Sequence, residues 1–95
     1  MERPRVGHIV SSLAGRDAGK RYVVVGSTGD RFVDLADGVV RPFDNPKRKN
    51  VKHVRLEGSV GEDLERALTN KATLRNSDIR RALEELDQSK HGGDD

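Results

Sequence analysis

Glycine, proline, asparagine and aspartate interrupt the first sixty residues of this chain at short intervals. AGRDAG (14–19), GSTGD (26–30), DG (37–38) and DNPKRKN (44–50) are turn or loop clusters, and the segments between them are too short for stable helices. What lies between is alternating or β-branched. RVGHIVSSL (5–13) alternates imperfectly, with Val6, His8 and Val10 on one face. RYVVVG (21–26) is a β-branched run stopped by Gly26. RFVDLADG (31–38) sets Phe32, Asp34 and Ala36 against Val33, Leu35 and Asp37. Phe32 is assigned to the core on this alternation. Asp37-Gly38 predicts a hairpin into VVRPF (39–43), and KHVRLE (52–57) reads as a last strand, with DNPKRKN as the loop before it. Five short strands in so little chain predict a small barrel or a strongly coiled sheet, because closure removes edges that so small a sheet cannot otherwise protect.

After residue 57 the period changes. Ser59 and Glu62 have capping-box spacing, and Leu64, Ala67 and Leu68 follow at helical intervals, with Gly61 weakening the first turn. TNKATL (69–74) breaks this helix. Asn76 or Ser77 caps a second one, and Asp78 suits its positive end. Ile79, Ala82, Leu83 and Leu86 fall on one stripe, while Arg80 and Arg81 are placed to pair with Glu84 and Glu85 on the wet side. The fold class is therefore mainly β with C-terminal α. Residues 1–57 form the strand-built unit, 58–90 a helical extension packed on or beside it, and 91–95 a disordered tail.

Ninety-five residues, 33% of them hydrophobic, suit one small domain with a thin core. There is no cysteine, so disulfides and thiolate metal sites are excluded, which fits a reducing compartment. MERPRVGHIVSSL contains no apolar run of signal-peptide or membrane-span length, and a cytoplasmic location with no membrane partner is expected. The net charge of +2 hides a split: residues 1–56 hold 12 Lys+Arg against 6 Asp+Glu, and residues 57–95 hold 6 against 10. A basic half beside an acidic half predicts a polyanion-binding surface on the first.

AGRDAGKR raises the question of nucleotide phosphates. A P-loop needs four residues between its glycines, then Lys, then Ser or Thr, and it opens a helix. Here three residues separate Gly15 from Gly19, Arg21 stands where the hydroxyl belongs, and a strand follows. The stretch is read instead as a tight connection, with glycine freedom at both ends and Asp17 bonding nearby backbone N–H groups. Its cations Arg16, Lys20 and Arg21 either touch the phosphates of a polyanion or are solvated charges. His8, His53 and His91 lack metal-ligand spacing, Asp30, Asp34 and Asp37 do not fit an EF-hand, and Ser11, Ser12 and Ser59 lack a nucleophile-elbow context. No enzyme, metal site or cofactor is expected.

The densest basic stretch is RPFDNPKRKNVKHVRL (41–56), with six cations and Asp44 as its one acid. Arg41, Lys47, Arg48, Lys49, Lys52 and Arg55 are placed to neutralise phosphates, with affinity falling steeply with salt. Asn50 and His53 add hydrogen bonds to base edges or 2′-hydroxyls. Phe43, between Pro42 and cations, either stacks on a base or is buried under the loop. With Tyr22, Phe32 and Phe43 the only aromatics, structured RNA read by shape and phosphate is a better ligand than a single strand.

IVSSLAGRDAGKRYVVV, FVDLADG and RPFDNPKRKNVKHV together resemble the KOW motif. In particular they resemble KOW-domain proteins similar to a eukaryotic and archaeal large-subunit ribosomal protein, with small bacterial relatives. The resemblance covers about residues 5–57, AGRDAGK is its most specific part, and KATLRNSDIRRAL also resembles the small bacterial members. It implies an SH3-like barrel, RNA binding and association with ribosomes. The expected function is RNA binding in the translation apparatus. The alternative is a protein-interaction module with ribosomal or transcription partners, in which Ile79, Leu83 and Leu86 pack on the barrel or face a partner.

Overall fold

A computed structural model describes residues 3–91. The elements are β1 (His8–Ser12), β2 (Arg21–Thr28), β3 (Phe32–Ala36), β4 (Lys47–Asn50), a 3-10 turn (Val51–His53), β5 (Val54–Ser59), α1 (Glu62–Thr69), a second 3-10 turn (Lys71–Thr73) and α2 (Asn76–His91). The strands form one antiparallel sheet in the order β4-β3-β2-β1-β5. The disordered tail expected over 91–95 lies, beyond His91, outside the described residues.

The order and the connections together force curvature. β4 and β5 sit at opposite ends of the sheet, yet only Val51–His53 separates them. Four inter-strand spacings in a flat sheet come to about 19 Å, whereas the chain from Asn50 to Val54 reaches at most about 14 Å. The sheet therefore coils until its two edges meet at this turn. Val51 N–H donates to the Arg31 carbonyl (2.7 Å) on the β3 side, and Leu13 N–H donates to the His53 carbonyl (2.8 Å) on the β1 side. Register shifts at Ile9/Val10 and at Val24/Gly26 mark bulges, which increase the local twist that such coiling needs.

Coiling gives the sheet two buried faces, which explains the unbroken apolar run in β2. Tyr22 and Val24 point into the coil with Val10, Val33, Leu35 and Val54. Val23 and Val25 point the other way with Ile9 and Ala36, onto Val60, Leu68, Leu74 and Ile79 of the helical half. Leu64, Ala67, Ala82, Leu83 and Leu86 pack at the margin of this second cluster. The apolar stripe of α2 thus packs toward the sheet, with Ile79 fully buried and Ala82, Leu83 and Leu86 only partly so. The helices supply the second layer that one face of the sheet requires.

Several local expectations are corrected. VVRPF is no strand: Val39 and Val40 are 69% and 68% exposed. The Asp37 carboxylate accepts from Val39 N–H (2.9 Å) and Arg41 N–H (2.8 Å), so Asp37-Gly38 closes a local turn rather than a hairpin. KRKN, read as loop, is β4. Phe32 opens β3 at 38% exposure, outside the core. Ser59 lies in β5 and caps nothing; Gly61 is the N-cap of α1, with Glu62, Asp63 and Glu65 in the first turn. Asn76 does not cap α2 but accepts from Phe43 N–H (2.9 Å), while Asp78 reaches back to Arg75 N–H (3.2 Å). Arg80 donates to the Gly38 carbonyl (2.8 Å), tying α2 to the 37–41 turn instead of pairing along its own helix.

Candidate nucleic-acid interface

The turn between β1 and β2 is organised around a carboxylate. Gly15 (φ +86°) and Gly19 (φ +90°) adopt backbone conformations that side chains disfavour, and they fold Asp17 inward. Asp17 is 7% exposed. It accepts hydrogen bonds from Ser12 Oγ (2.8 Å), Tyr22 Oη (3.0 Å), Lys47 Nζ (2.8 Å) and Lys49 Nζ (3.0 Å). Lys49 also donates to the Ala14 carbonyl (2.8 Å). Burial by itself pushes this carboxyl upward. The two ammoniums, with Ser12 and Tyr22, outweigh it and hold Asp17 well below the usual carboxylate range. Burial, then the bond to Asp17, pushes the Tyr22 phenol up to about 12.

This arrangement explains β4. A strand with no apolar residue is held because alternate side chains, Lys47 and Lys49, lay their stems inward and place their charges on Asp17. Arg48 points the other way, 3.4 Å from Asp34. Asp17 was expected to bond nearby backbone N–H groups. It joins β1, β2 and β4 instead.

The residues expected to bind RNA therefore divide. Lys47 and Lys49 are committed to Asp17, and the Lys49 side chain is only 11% exposed. Asn50 caps the 3-10 turn, accepting from Lys52 N–H (3.0 Å). Phe43 is half-buried against the outer cluster. Arg21 forms an ion pair with Asp87 at the far end of α2. Lys20 lies 3.8 Å from Asp37 and 5.9 Å from the centre of the Tyr22 ring. Arg41 is half-buried beside the 37–41 turn.

Arg16, Lys52, His53 and Arg55 remain on display, all exposed. The Leu13–His53 hydrogen bond and the Ser11↔Arg55 pairing join the start of the β1–β2 turn to the 3-10 turn and β5, which brings these four to one end of the sheet. Arg16 and Lys52 form no ion pair among the described residues. Arg55, its side chain 71% exposed, lies 3.7 Å from Glu57. Exposed Leu13 sits among them. This end presents several cations on backbone fixed by buried bonds, an arrangement suited to a polyanion.

Sequence reasoning missed Asp17 as a buried anchor. Its one local trace is that Ser12 and Tyr22 lie five residues to either side of it. Reasoning also passed over Arg31, exposed beside the 3-10 turn, where Val51 N–H donates to its carbonyl and the neighbouring Phe32, expected in the core, pairs with Asn50. Among the described residues no group of three or more His, Asp or Glu side chains is placed to hold a metal ion. No helix among them is long and apolar enough to cross a membrane. No protein-family model matches the chain, and no curated protein matches it.

Proposed function

We propose that this protein binds structured RNA of the translation apparatus, ribosomal RNA foremost, in the cytoplasm and without catalysis or a cofactor. The contact surface is the end of the sheet that carries Arg16, Lys52, His53 and Arg55. The observation that carries this reading is the display of these residues on held backbone: Arg16 adjoins the buried Asp17, and the Leu13–His53 hydrogen bond and the Ser11↔Arg55 pairing fix the stretch that carries the other three. A fixed array avoids the ordering entropy that a free basic loop would lose on binding. The resemblance of residues 5–57 to KOW proteins supports the same reading. So does a five-stranded sheet whose edge strands are joined through three residues, which is what a small barrel of that type requires.

The test compares binding to a structured ribosomal RNA fragment and to duplex DNA of equal charge across a salt series, with an unstructured RNA of equal length alongside. The reading predicts preference for the structured RNA and a steep loss of affinity with salt. Equal affinity for all three, or tighter binding of the unstructured strand, contradicts it. A protein-interaction role is favoured by one observation, the exposure of Val39 and Val40 on the 37–41 turn. Absence of RNA binding at low salt would turn attention to that turn.

A further inference from the structure

We infer that the helical half carries a second binding site, a groove for a basic amphipathic peptide segment of another protein. The groove runs between α1 and α2 and encloses about 450 Å³. Its floor is apolar, made by Leu64 and Ala67 of α1 and Ala82 of α2. These side chains are only partly buried at the margin of the outer cluster, so they leave apolar surface facing the opening. A smaller adjoining cavity of about 200 Å³ shares Ala82 and Glu85 with it and is lined further by Leu86 and Val60.

The walls are acidic. Glu62 and Asp63 come from α1, Asp78 and Glu85 from α2, and Arg81 is the one cation that lines the same groove. Two of the acids are already engaged: Asp63 pairs with Arg66 at 2.6 Å, and Asp78 accepts from Arg75 N–H. Glu62 and Glu85 are exposed and form no ion pair among the described residues. Two unpaired carboxylates thus line an apolar cleft from separate helices, where a cationic ligand gains attraction and removes repulsion. Residues 57–95 hold 6 Lys+Arg against 10 Asp+Glu, so this half repels the polyanion that the strand half attracts. Charge complementarity therefore selects the occupant: a segment with lysine or arginine on both sides of an apolar anchor, the anchor on Ala67 and Ala82 and the cations on Glu62 and Glu85. The site is built from elements other than those that display Arg16, Lys52 and Arg55, and its test does not depend on RNA binding.

The test uses the full chain and a labelled amphipathic leucine–lysine peptide at low salt. Its comparison peptides carry serine for leucine or glutamate for lysine. Binding is expected for the leucine–lysine peptide and at least about tenfold weaker for each comparison peptide. E62K/E85K is expected to lose about tenfold or more, and E62Q/E85Q an intermediate amount. E84K, which reverses an exposed charge outside the groove, is expected to leave binding within about twofold. Circular dichroism and Tm of each variant separate lost binding from lost folding. The inference is overturned if the leucine–lysine peptide does not bind, if the serine peptide binds equally well, or if E84K weakens binding as much as E62K/E85K. It is equally overturned if self-association of the chain, measured by sedimentation, occupies the groove and is what E62K/E85K abolishes.

Discussion

Asp17 concentrates most of the tension between burial and charge in this molecule. A carboxylate this buried is tolerated because four donors converge on it, two of them ammoniums. Removing its charge leaves two lysines facing a site built for an anion. Asp17→Asn is therefore expected to cost about 3 kcal/mol of folding stability, read by urea unfolding at neutral pH. The pH dependence has a definite sign. The folded Asp17 holds its proton more weakly than the unfolded chain does, whose carboxyl titrates near pH ~4. The stability it contributes is complete above that pH and is lost as pH falls below it, so the variant should lose less stability than the wild type on acidification. Tyr22 gives the opposite sign. Its folded value of about 12 stands above the ordinary tyrosine value of about 10, so its contribution is present at neutral pH and lost as pH rises through that interval. Tyr22 is the only tyrosine in the chain, so a phenolate absorbance titration reads it alone. A midpoint well above 10 is expected in the folded protein, and Asp17→Asn should bring it down.

Elements were legible in the sequence where one face or two faces of apolar side chains define them. RYVVVG became a strand buried on both sides, and the Ile79–Leu86 stripe became the inner face of α2. β4 was hidden for a physical reason. KRKN has neither apolar residues nor β-branching, and its strand state depends on Asp17, thirty residues away. A propensity reading sees only local preference and places such a segment in a loop. The Asp37-Gly38 signal failed in a similar way. The conformation it predicts is present, with Gly38 at φ +79°, but α2 and not a partner strand lies against it. A Cβ on Gly38 would sit 2.5 Å from the Asn76 carbonyl oxygen, in a backbone region that side chains disfavour. Gly38→Ala is expected to cost about 3 kcal/mol by combining backbone strain with a forced shift of the α2 start. Thermal unfolding measures it, and a change under about 1 kcal/mol would contradict the close contact seen here.

At the scale of the whole molecule, the two halves share one core but differ in charge. The strand half carries 12 Lys+Arg against 6 Asp+Glu over residues 1–56. The sequence shows that excess, but it does not show which cations are spent inside. Density of charge pointed to Lys47 and Lys49, and the fold uses both to neutralise Asp17. Reversing those two would place carboxylates against a buried carboxylate and unfold the sheet edge, so it would report on stability rather than on binding. Arg16, Lys52 and Arg55 carry the functional question, because all three are exposed and Arg16 and Lys52 form no ion pair among the described residues, while Arg55 faces the nearly buried Glu57 carboxylate at 3.7 Å, so its reversal needs the unfolding control.

The most direct measurement is the salt dependence of binding to a structured ribosomal RNA fragment by the wild type and by R16E/K52E/R55E. Unfolding curves of both should confirm an unchanged fold. The wild type should bind with affinity that falls steeply as salt rises. The triple variant should bind at least about a hundredfold more weakly at low salt, with a slope shallower by about three counterions. A folded triple variant that keeps the wild-type affinity and slope would contradict the account, because the RNA would then be held by a surface other than this end of the sheet.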